Sequence, residues 1–405
     1  MAYEMTAAEA ASRLGVKQAT LYAYVSRGVL SRGRASDGRA SLFDPREVEE
    51  LARRGRPRRP AGVTDIIIES QITEIAGDQL RYRGRNVIDL ATTRRFEDVA
   101  ELLWAGALPP AGATPVPWRC TDAALRVGRA AQSALPLGTL PLERLQVIVP
   151  AIAATDPLRP ELDPAAVMAA GRAIIAAMVR CLPTAGPASD EGPGMIAVGL
   201  WGRLCERRPN PALLRALSAA LVLLADHELA ASTLAVRAAA SVRADPYAVV
   251  ATGLGAISGA LHGGSSLGAE TLLAAARGPA DISRVVAELR RRGEKIPGFG
   301  HLVYRSGDPR AIALLDLIRR AAPKSTQLAI ADALLAEVRQ KSLPEPNIDI
   351  ALATLVRVAG MVRGAGEAIF AIARTAGWIA HALEAYTTAP IRPRAIYTGP
   401  GAIDS

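Results

Sequence analysis

From Phe96 onward the apolar residues recur at intervals of three and four, the spacing of one face of an α-helix. Phe96, Val99, Ala100, Leu102 and Leu103 predict one helix, ended by Gly106 and Pro109-Pro110. Residues 165–180 predict another, with arginines rotated away from the apolar positions. Residues 211–240 read as a long helix, apolar at Leu213, Leu214, Leu217, Leu221 and Leu224, interrupted by Asp226-His227-Glu228. Further helices are expected after Asn347-Ile348-Asp349 and over residues 367–386, where Ile369, Ile372, Ile379 and Leu383 carry the apolar face. Strand signals are few. Residues 63–70 are β-branched, residues 79–82 are a second short run, and Gly77-Asp78 lies between them, which predicts a small hairpin. Residues 183–194, rich in proline and glycine, predict an irregular loop. No strand series continues beyond this, so the fold class is mainly α and a parallel sheet is not expected.

The first sixty residues follow a different pattern. Thr6-Ala7-Ala8-Glu9 is a capping box that starts a helix near Ala7, and Gly15 stops it. A second helix fits residues 18–27, with Lys17, Gln18, Thr20, Tyr22 and Tyr24 around it, and Gly28 ends it. Two short helices and a tight turn read as helix-turn-helix. Arg32, Arg34 and Arg39 flank an Asp37-Gly38 turn and make a basic hairpin, after which Asp44-Pro45 starts a third helix. This order resembles the winged helix-turn-helix of MerR-like and excisionase-like DNA-binding domains, on residues 8–16, 21–30 and 42–44. The resemblance implies contact with double-stranded DNA through Lys17, Gln18, Thr20, Tyr22, Arg32, Arg34 and Arg39. A small helical docking module with solvated charges is the alternative.

Charge sharpens this division. The 405 residues carry a net charge of +9, yet residues 1–60 hold 12 Lys/Arg against 7 Asp/Glu and the rest 36 against 32. The basic excess is therefore concentrated at the N-terminus, where a phosphate backbone would meet it. Residues 53–60, Arg-Arg-Gly-Arg-Pro-Arg-Arg-Pro, read as an extended, solvated linker. Cys120, Cys181 and Cys205 have neither zinc-ligand spacing nor an even count, so neither a metal site nor a disulfide framework is indicated and a cytoplasmic setting is expected. Glu4, Thr6 and Glu9 break any apolar run near Met1, and the best membrane-spanning candidate, residues 248–261, is too short and rich in glycine. No G-x-G-x-x-G follows a strand and no P-loop is present, which leaves nucleotide hydrolysis and dinucleotide cofactors without support.

The ionisable residues that stand in apolar surroundings are the candidates for chemistry. Residues 297–310 place His301 after two glycines and Arg310 nine residues later, a loop able to grip and protonate a small acid, or a plain surface turn. His262 precedes Gly263-Gly264 at the mouth of a predicted helix, where free backbone N–H groups favour a neutral imidazole. Asn347 and Asp349 each suit a helix N-cap. Arg374 lies in so apolar a helix that an anionic partner is required, and Arg392 sits between Ile391 and Pro393. His381 follows Arg374 by seven residues, on nearly the same face, and suits packing or a subunit contact as well as chemistry.

Taken in order, residues 225–233, 261–264, 295–301, 308–310, 346–349 and 391–394 resemble the motifs of the citrate synthase family, joined by residues 80–84 and 369–378. The resemblance covers about residues 62–395. It implies a helical fold of large and small domains, with 63–264 and 359–405 forming the large domain and 265–358 the small one, behind a winged helix-turn-helix at 1–55 and a linker at 56–62. It implies condensation of acetyl-CoA with oxaloacetate and water to citrate and CoA, of Si-type stereochemistry, by a homodimer without a separate cofactor, the CoA thioester being a substrate. Asp349 is then the base for the acyl carbon, His262 the donor to the thioester oxygen and His301 the donor to the ketone. His227, Arg310, Arg374 and Arg392, the last from the partner subunit, hold oxaloacetate, and Lys295 and Arg305 are candidate CoA phosphate contacts. Two departures stand out: Leu302 where the family usually has arginine or a small residue, and Ile350-Ala351-Leu352-Ala353 after the base. The second suggests a more apolar acyl pocket, so propionyl-CoA and 2-methylcitrate synthesis are the alternative. A transcription regulator that uses the fold to sense metabolites is another, though a degenerate sensor would be expected to lose Asp349, His262 or His301.

Overall fold

A computed structural model describes residues 5–14, 16, 18–26, 30–34, 41–53, 68–110, 117–186, 195–260, 262, 264–304 and 307–393. The chain divides into two compact units, Met1–Glu69 and Ser70–Ser405.

In the first unit the capping box forms as the sequence predicts: the Thr6 hydroxyl accepts the Glu9 N–H at 3.3 Å and the Glu9 carboxylate accepts the Thr6 N–H at 2.8 Å. Helix Ala7–Leu14 follows, then helix Gln18–Ser26 and, after the wing, helix Pro45–Arg53. Strand Ser41–Phe43 is the centre of a three-stranded antiparallel sheet, pairing with Met5–Thr6 on one side and Arg32–Arg34 on the other. Ala10, Leu21, Leu30, Phe43 and Val48 close a small core between the helices and the sheet. The Asp37-Gly38 turn and the linker at 56–62 lie outside the described residues.

The second unit opens on a hairpin, but its first strand differs from the expectation. Thr73–Ala76, not residues 63–70, pairs with Gln79–Tyr82. Residues 68–70 form no strand, and 63–67 lie outside the described residues. A two-residue turn at Gly77-Asp78 forces its immediate neighbours to pair, which outweighs the β-branched composition further upstream. Beyond a short third strand, Arg85–Asn86, the unit is helical. Four helices start in the same way, with Asp163, Asn210, Asp245 or Asp308 accepting a first-turn N–H and proline at the next position. Each such cap stabilises its helix by ~1 kcal/mol.

The core gathers round helix Ala365–Ala385, which is buried along nearly all its length. Helices Phe96–Ala105, Pro141–Ala153, Pro164–Cys181, Pro211–Leu224, Ala231–Ser241 and Pro246–Ile257 pack on it. Pro164–Cys181 is long and apolar enough to cross a membrane by length and composition, a feature that the reading of residues 248–261 passed over, and ten of its residues are buried in this packing. A second core joins helices Gly264–Ala274, Ile282–Arg291, Thr326–Gln340 and Ile348–Ala359 through Ala269, Leu273, Val286, Ile330, Leu334 and Ile350. Helix Ile348–Ala359 serves both cores, giving Ile350 and Ala353 to one and Ala351, Leu352 and Leu355 to the other. Its first turn, which carries Asp349, therefore stands where the two cores meet.

Candidate active site

Three loops, carrying His227, His262 and His301, and three helices, carrying Arg310, Asp349 and Arg374, supply the predicted residues. The predicted helix over 211–240 breaks at Leu224, turns through Asp226-His227-Glu228 and resumes as Ala231–Ser241. Glu228 takes a left-handed φ of 56°, which costs an ordinary residue ~1 kcal/mol and turns His227 inward. The His301 loop is shaped by Gly298, with φ 85°, where a Cβ would stand 2.7 Å from that of Ile350. The loop and the His227 turn meet: the rings of His227 and His301 are 5.2 Å apart, edge to face. Tyr304 completes the group. Its hydroxyl is 2.9 Å from His227 Nε2, its ring is 4.7 Å from that of His301, and the Arg310 guanidinium lies 5.7 Å above it. Sequence reasoning missed Tyr304, although it stands three residues after His301.

Arg310 is buried and held bidentate by Asp308, with Nε to Oδ1 at 2.9 Å and Nη2 to Oδ2 at 2.8 Å. Two of its five N–H groups are so used and the rest stay available for an incoming carboxylate. Burial works to raise the Asp308 pKa, but the Arg310 charge and the hydrogen bonds from Arg310 together outweigh it and keep the carboxyl below its usual range. Arg374 donates its Nε to the Leu224 carbonyl at 2.9 Å and lies 4.7 Å from the centre of the Phe370 ring. The ring of His262 meets the other side of this group, 6.1 Å from Phe370, and its Nε2 is 2.9 Å from the Ser232 hydroxyl.

All three imidazoles are held neutral. Burial, then the Arg310 and Arg374 charges, push His227 well below the usual value; burial and Arg374 lower His262 to about 4; burial and Arg310 lower His301. His301 Nδ1 accepts the backbone N–H groups of Val303 at 3.0 Å and Tyr304 at 3.4 Å. Its neutral ring therefore carries the proton on Nε2, as a hydrogen-bond donor. Asn347, not Asp349, is the helix N-cap: its Oδ1 accepts the Asp349 N–H at 3.0 Å. Asp349 is thereby freed, with Oδ1 buried and unpaired, and burial raises its pKa to about 6 against a hydrogen bond from Ser265 that lowers it. A buried carboxylate beside neutral imidazole donors and buried guanidinium groups can remove a carbon-bound proton while polarising carbonyl oxygens in an anionic substrate.

The remaining candidates stand apart. Arg392 is exposed and no contact joins it to this cluster among the described residues, although Ile391 beside it donates to the Ser241 hydroxyl at 3.0 Å. Lys295 is exposed, and Arg305 lies outside the described residues. Leu302 is fully exposed. Ile350, Ala351, Leu352 and Ala353 are packed at 0 % exposure in the two cores. Among the described residues no three His, Cys, Asp or Glu side chains group as metal ligands.

The sequence pattern described as citrate synthase, C-terminal domain, matches residues 62–394. The chain belongs to the citrate synthase family. A helix-turn-helix domain pattern matches residues 4–56 in front of the citrate synthase part. The chain is similar to citrate synthase 2 of Bacillus subtilis (strain 168), 30% identical over 365 residues that cover 83% of this chain and 94% of that protein. It is similar to the same degree to 2-methylcitrate synthase of Mycobacterium tuberculosis (strain ATCC 35801 / TMC 107 / Erdman), 30% identical over 364 residues, 85% of this chain and 91% of the relative. The crystal structure of citrate synthase from Pyrobaculum aerophilum superposes with a TM-score of 0.70 at 26% identity, covering 93% of this chain and 96% of that one.

In the helix-turn-helix unit, helix Gln18–Ser26 exposes Gln18 and Tyr22 four residues apart, with Thr20 half-buried and Leu21 in the core. Arg32 is exposed on the wing strand. Lys17, Arg39 and the side chain of Arg34 lie outside the described residues.

Proposed function

We propose that the synthase unit condenses an acyl-CoA with oxaloacetate in the Si-type course, and that acetyl-CoA, giving citrate, is its substrate. The observation that carries the reading is that the same fold holds Asp349, a buried carboxyl with an unsatisfied oxygen, and His301, whose Nδ1 accepts two backbone N–H groups so that Nε2 carries the proton. Asp349 removes the acyl α-proton while neutral His262 donates to the thioester oxygen, so that an enol forms without a full negative charge. The enol carbon attacks the ketone of oxaloacetate as His301 Nε2–H is donated to the developing alkoxide. His227 orients the ketone, and Arg310 and Arg374 hold the two carboxylates. Arg392, exposed and remote in its own chain, fits a role in the active site of a second subunit of a homodimer. Water then hydrolyses the citryl thioester and CoA leaves. No separate cofactor takes part in this scheme. Lys295 and Arg305 are the CoA phosphate contacts it allows, and the protein is placed in the cytoplasm.

The similarity to a 2-methylcitrate synthase keeps propionyl-CoA as a second acyl donor, and one methylene in such a pocket is worth only ~10–200-fold. Release of CoA thiol from acetyl-CoA and from propionyl-CoA, with and without oxaloacetate, tests both. Oxaloacetate-dependent release is expected with acetyl-CoA at the higher kcat/KM, and absence of release with either thioester overturns the enzymatic reading in favour of a metabolite-sensing regulator. The helix-turn-helix unit is proposed to bind double-stranded DNA through Gln18, Thr20, Tyr22 and Arg32, with Lys17, Arg34 and Arg39 beside them.

A further inference from the structure

Helix Ala365–Ala385 carries Glu367, Phe370, Arg374, Gly377, His381 and Glu384 at alternating intervals of three and four, so they share one side of an otherwise apolar helix. Phe370 and Arg374 belong to the site already described. Gly377 closes on the turn before His227: its N–H donates to the Ala225 carbonyl at 3.0 Å, and a Cβ there would stand 2.3 Å from Asp226 Oδ1. One turn further on, His381 is 1 % exposed, between two ionisable groups that are themselves buried.

His381 Nδ1 lies 2.9 Å from Arg237 Nη1. A guanidinium only donates, so Nδ1 accepts, and the neutral ring carries its proton on Nε2. Nε2 is hydrogen-bonded to Asp226 Oδ2 at 3.4 Å and lies 3.3 Å from Oδ1, which is buried without a hydrogen-bonding partner. Asp226 is itself clamped. Thr73 donates its hydroxyl to Oδ2 at 2.5 Å, and the Tyr82 hydroxyl both donates to the Asp226 carbonyl at 2.8 Å and accepts its N–H at 3.0 Å. The next residue is His227 and the one after it holds the left-handed φ. On the far side Arg237 is fixed by Glu384 at 2.7 Å, and Glu384 accepts the Gln71 N–H at 2.9 Å.

We infer that His381 is a positioning residue for oxaloacetate: by donating to Asp226 it holds the turn that presents His227 and keeps a carboxylate beside Arg374. The inference rests on the proposed reaction. A buried arginine and a buried carboxylate joined through a neutral ring are costly compared with apolar packing. A role in packing alone leaves that cost unexplained, whereas a fixed His227 turn accounts for it.

The test compares His381→Phe, which removes both hydrogen bonds, with His381→Gln, which keeps one donor and one acceptor, in the full chain. Oxaloacetate and acetyl-CoA are varied independently, and oxaloacetate binding is measured directly by calorimetry. His381→Phe is expected to raise KM and Kd for oxaloacetate about tenfold, as loss of one buried hydrogen bond implies. KM for acetyl-CoA should stay unchanged, and His381→Gln should recover most of the loss. Should the phenylalanine variant fail to fold, His381→Asn, too short to reach both partners, takes its place. Wild-type oxaloacetate affinity in these variants, or an equal loss in the glutamine and phenylalanine variants, overturns the role of His381. A wild-type chain with no oxaloacetate-dependent turnover overturns the reaction assignment instead.

Discussion

Replacing Asp349 by asparagine should inactivate the enzyme and stabilise the fold, and the two effects have one cause. The carboxyl is 9 % exposed and its Oδ1 is buried without a partner, so its ionised form is poorly solvated and its pKa rises to about 6 from an ordinary 3.8. Below pH 3.8 both folded and unfolded chains carry the proton, and the group does not affect stability. Between 3.8 and about 6 the folded chain keeps a proton that the unfolded chain releases, so stability falls as pH rises through this window. Above it the full cost applies: the span from 3.8 to about 6, at ~1.4 kcal/mol for each tenfold, gives about 3 kcal/mol. Asparagine keeps an oxygen to accept the Ser265 hydroxyl but adds a buried N–H donor at a cost of ~1–2 kcal/mol. Asp349→Asn should therefore be more stable than wild type by about 1–2 kcal/mol at pH 8 and show no such advantage at pH 4. All four tryptophans, Trp104, Trp118, Trp201 and Trp378, lie in the unit Ser70–Ser405, so urea unfolding followed by fluorescence reports on it directly. The same variant should lose ~10²–10⁴-fold in kcat while it still binds oxaloacetate, and the wild-type kcat/KM should fall on the acid side near pH 6. An asparagine variant less stable at pH 8, or equally shifted at both pH values, would show that Asp349 does not carry the strain assigned to it.

Three further outcomes test other parts of the site. Tyr304→Phe removes the hydroxyl 2.9 Å from His227 Nε2 and leaves the ring against His301. It should raise KM for oxaloacetate by a factor of ~5–10 with little change in stability, as one lost hydrogen bond implies, and an unchanged KM refutes its part in orienting His227. Asp308→Ala leaves the Arg310 guanidinium buried without its bidentate partner, so urea unfolding should show a loss of ~3–5 kcal/mol, and a loss under 1 kcal/mol refutes the pairing. For the helix-turn-helix unit, duplex binding in a gel-shift titration should weaken steeply with salt, and Arg32→Ala should reduce the slope of log K against log salt by about one. The absence of salt-sensitive binding to any duplex removes DNA as the partner.

The elements most legible in the sequence were those set by local chemistry. The Thr6 capping box, the Asp44-Pro45 helix start and the break at Asp226-His227-Glu228 all follow from hydrogen-bond and dihedral preferences within a few residues. The hairpin strand was misplaced because β-branched composition says which residues suit a strand, while the turn at Gly77-Asp78 decides which ones pair. Asn347 and Asp349 were indistinguishable as caps for a related reason. Either side chain suits the position, and only the backbone shows that Asn347 takes it and leaves Asp349 unpaired. The partners of the catalytic groups, Ser232 on His262, Ser265 on Asp349 and Tyr304 on His227, come from tertiary contacts. Single-sequence spacing does not encode these contacts.

One tertiary feature was nevertheless written at helical spacing. In helix Ala365–Ala385 the polar or charged residues Glu367, Arg374, His381 and Glu384 fall on the same side as Phe370 and Gly377, where an interior helix would be expected to carry aliphatic side chains. Four of these positions meet different needs: Arg374, in the proposed reaction, an anionic substrate, Gly377 a close backbone approach, His381 the Asp226 carboxylate and Glu384 the buried Arg237. Residue by residue these look like unrelated exceptions to an apolar pattern. Taken at their common spacing they form a polar seam, which an apolar helix interior tolerates only where every member has a partner. Arg374 is the member whose burial is least offset: desolvation lowers its pKa although Asp226 and Tyr82 raise it, and its Nε donates to the neutral Leu224 carbonyl. In the proposed reaction a dianionic substrate supplies a counter-charge to it. That ties oxaloacetate binding to the stability of this helix, so saturating oxaloacetate should raise the wild-type unfolding midpoint and raise it less in His381→Phe.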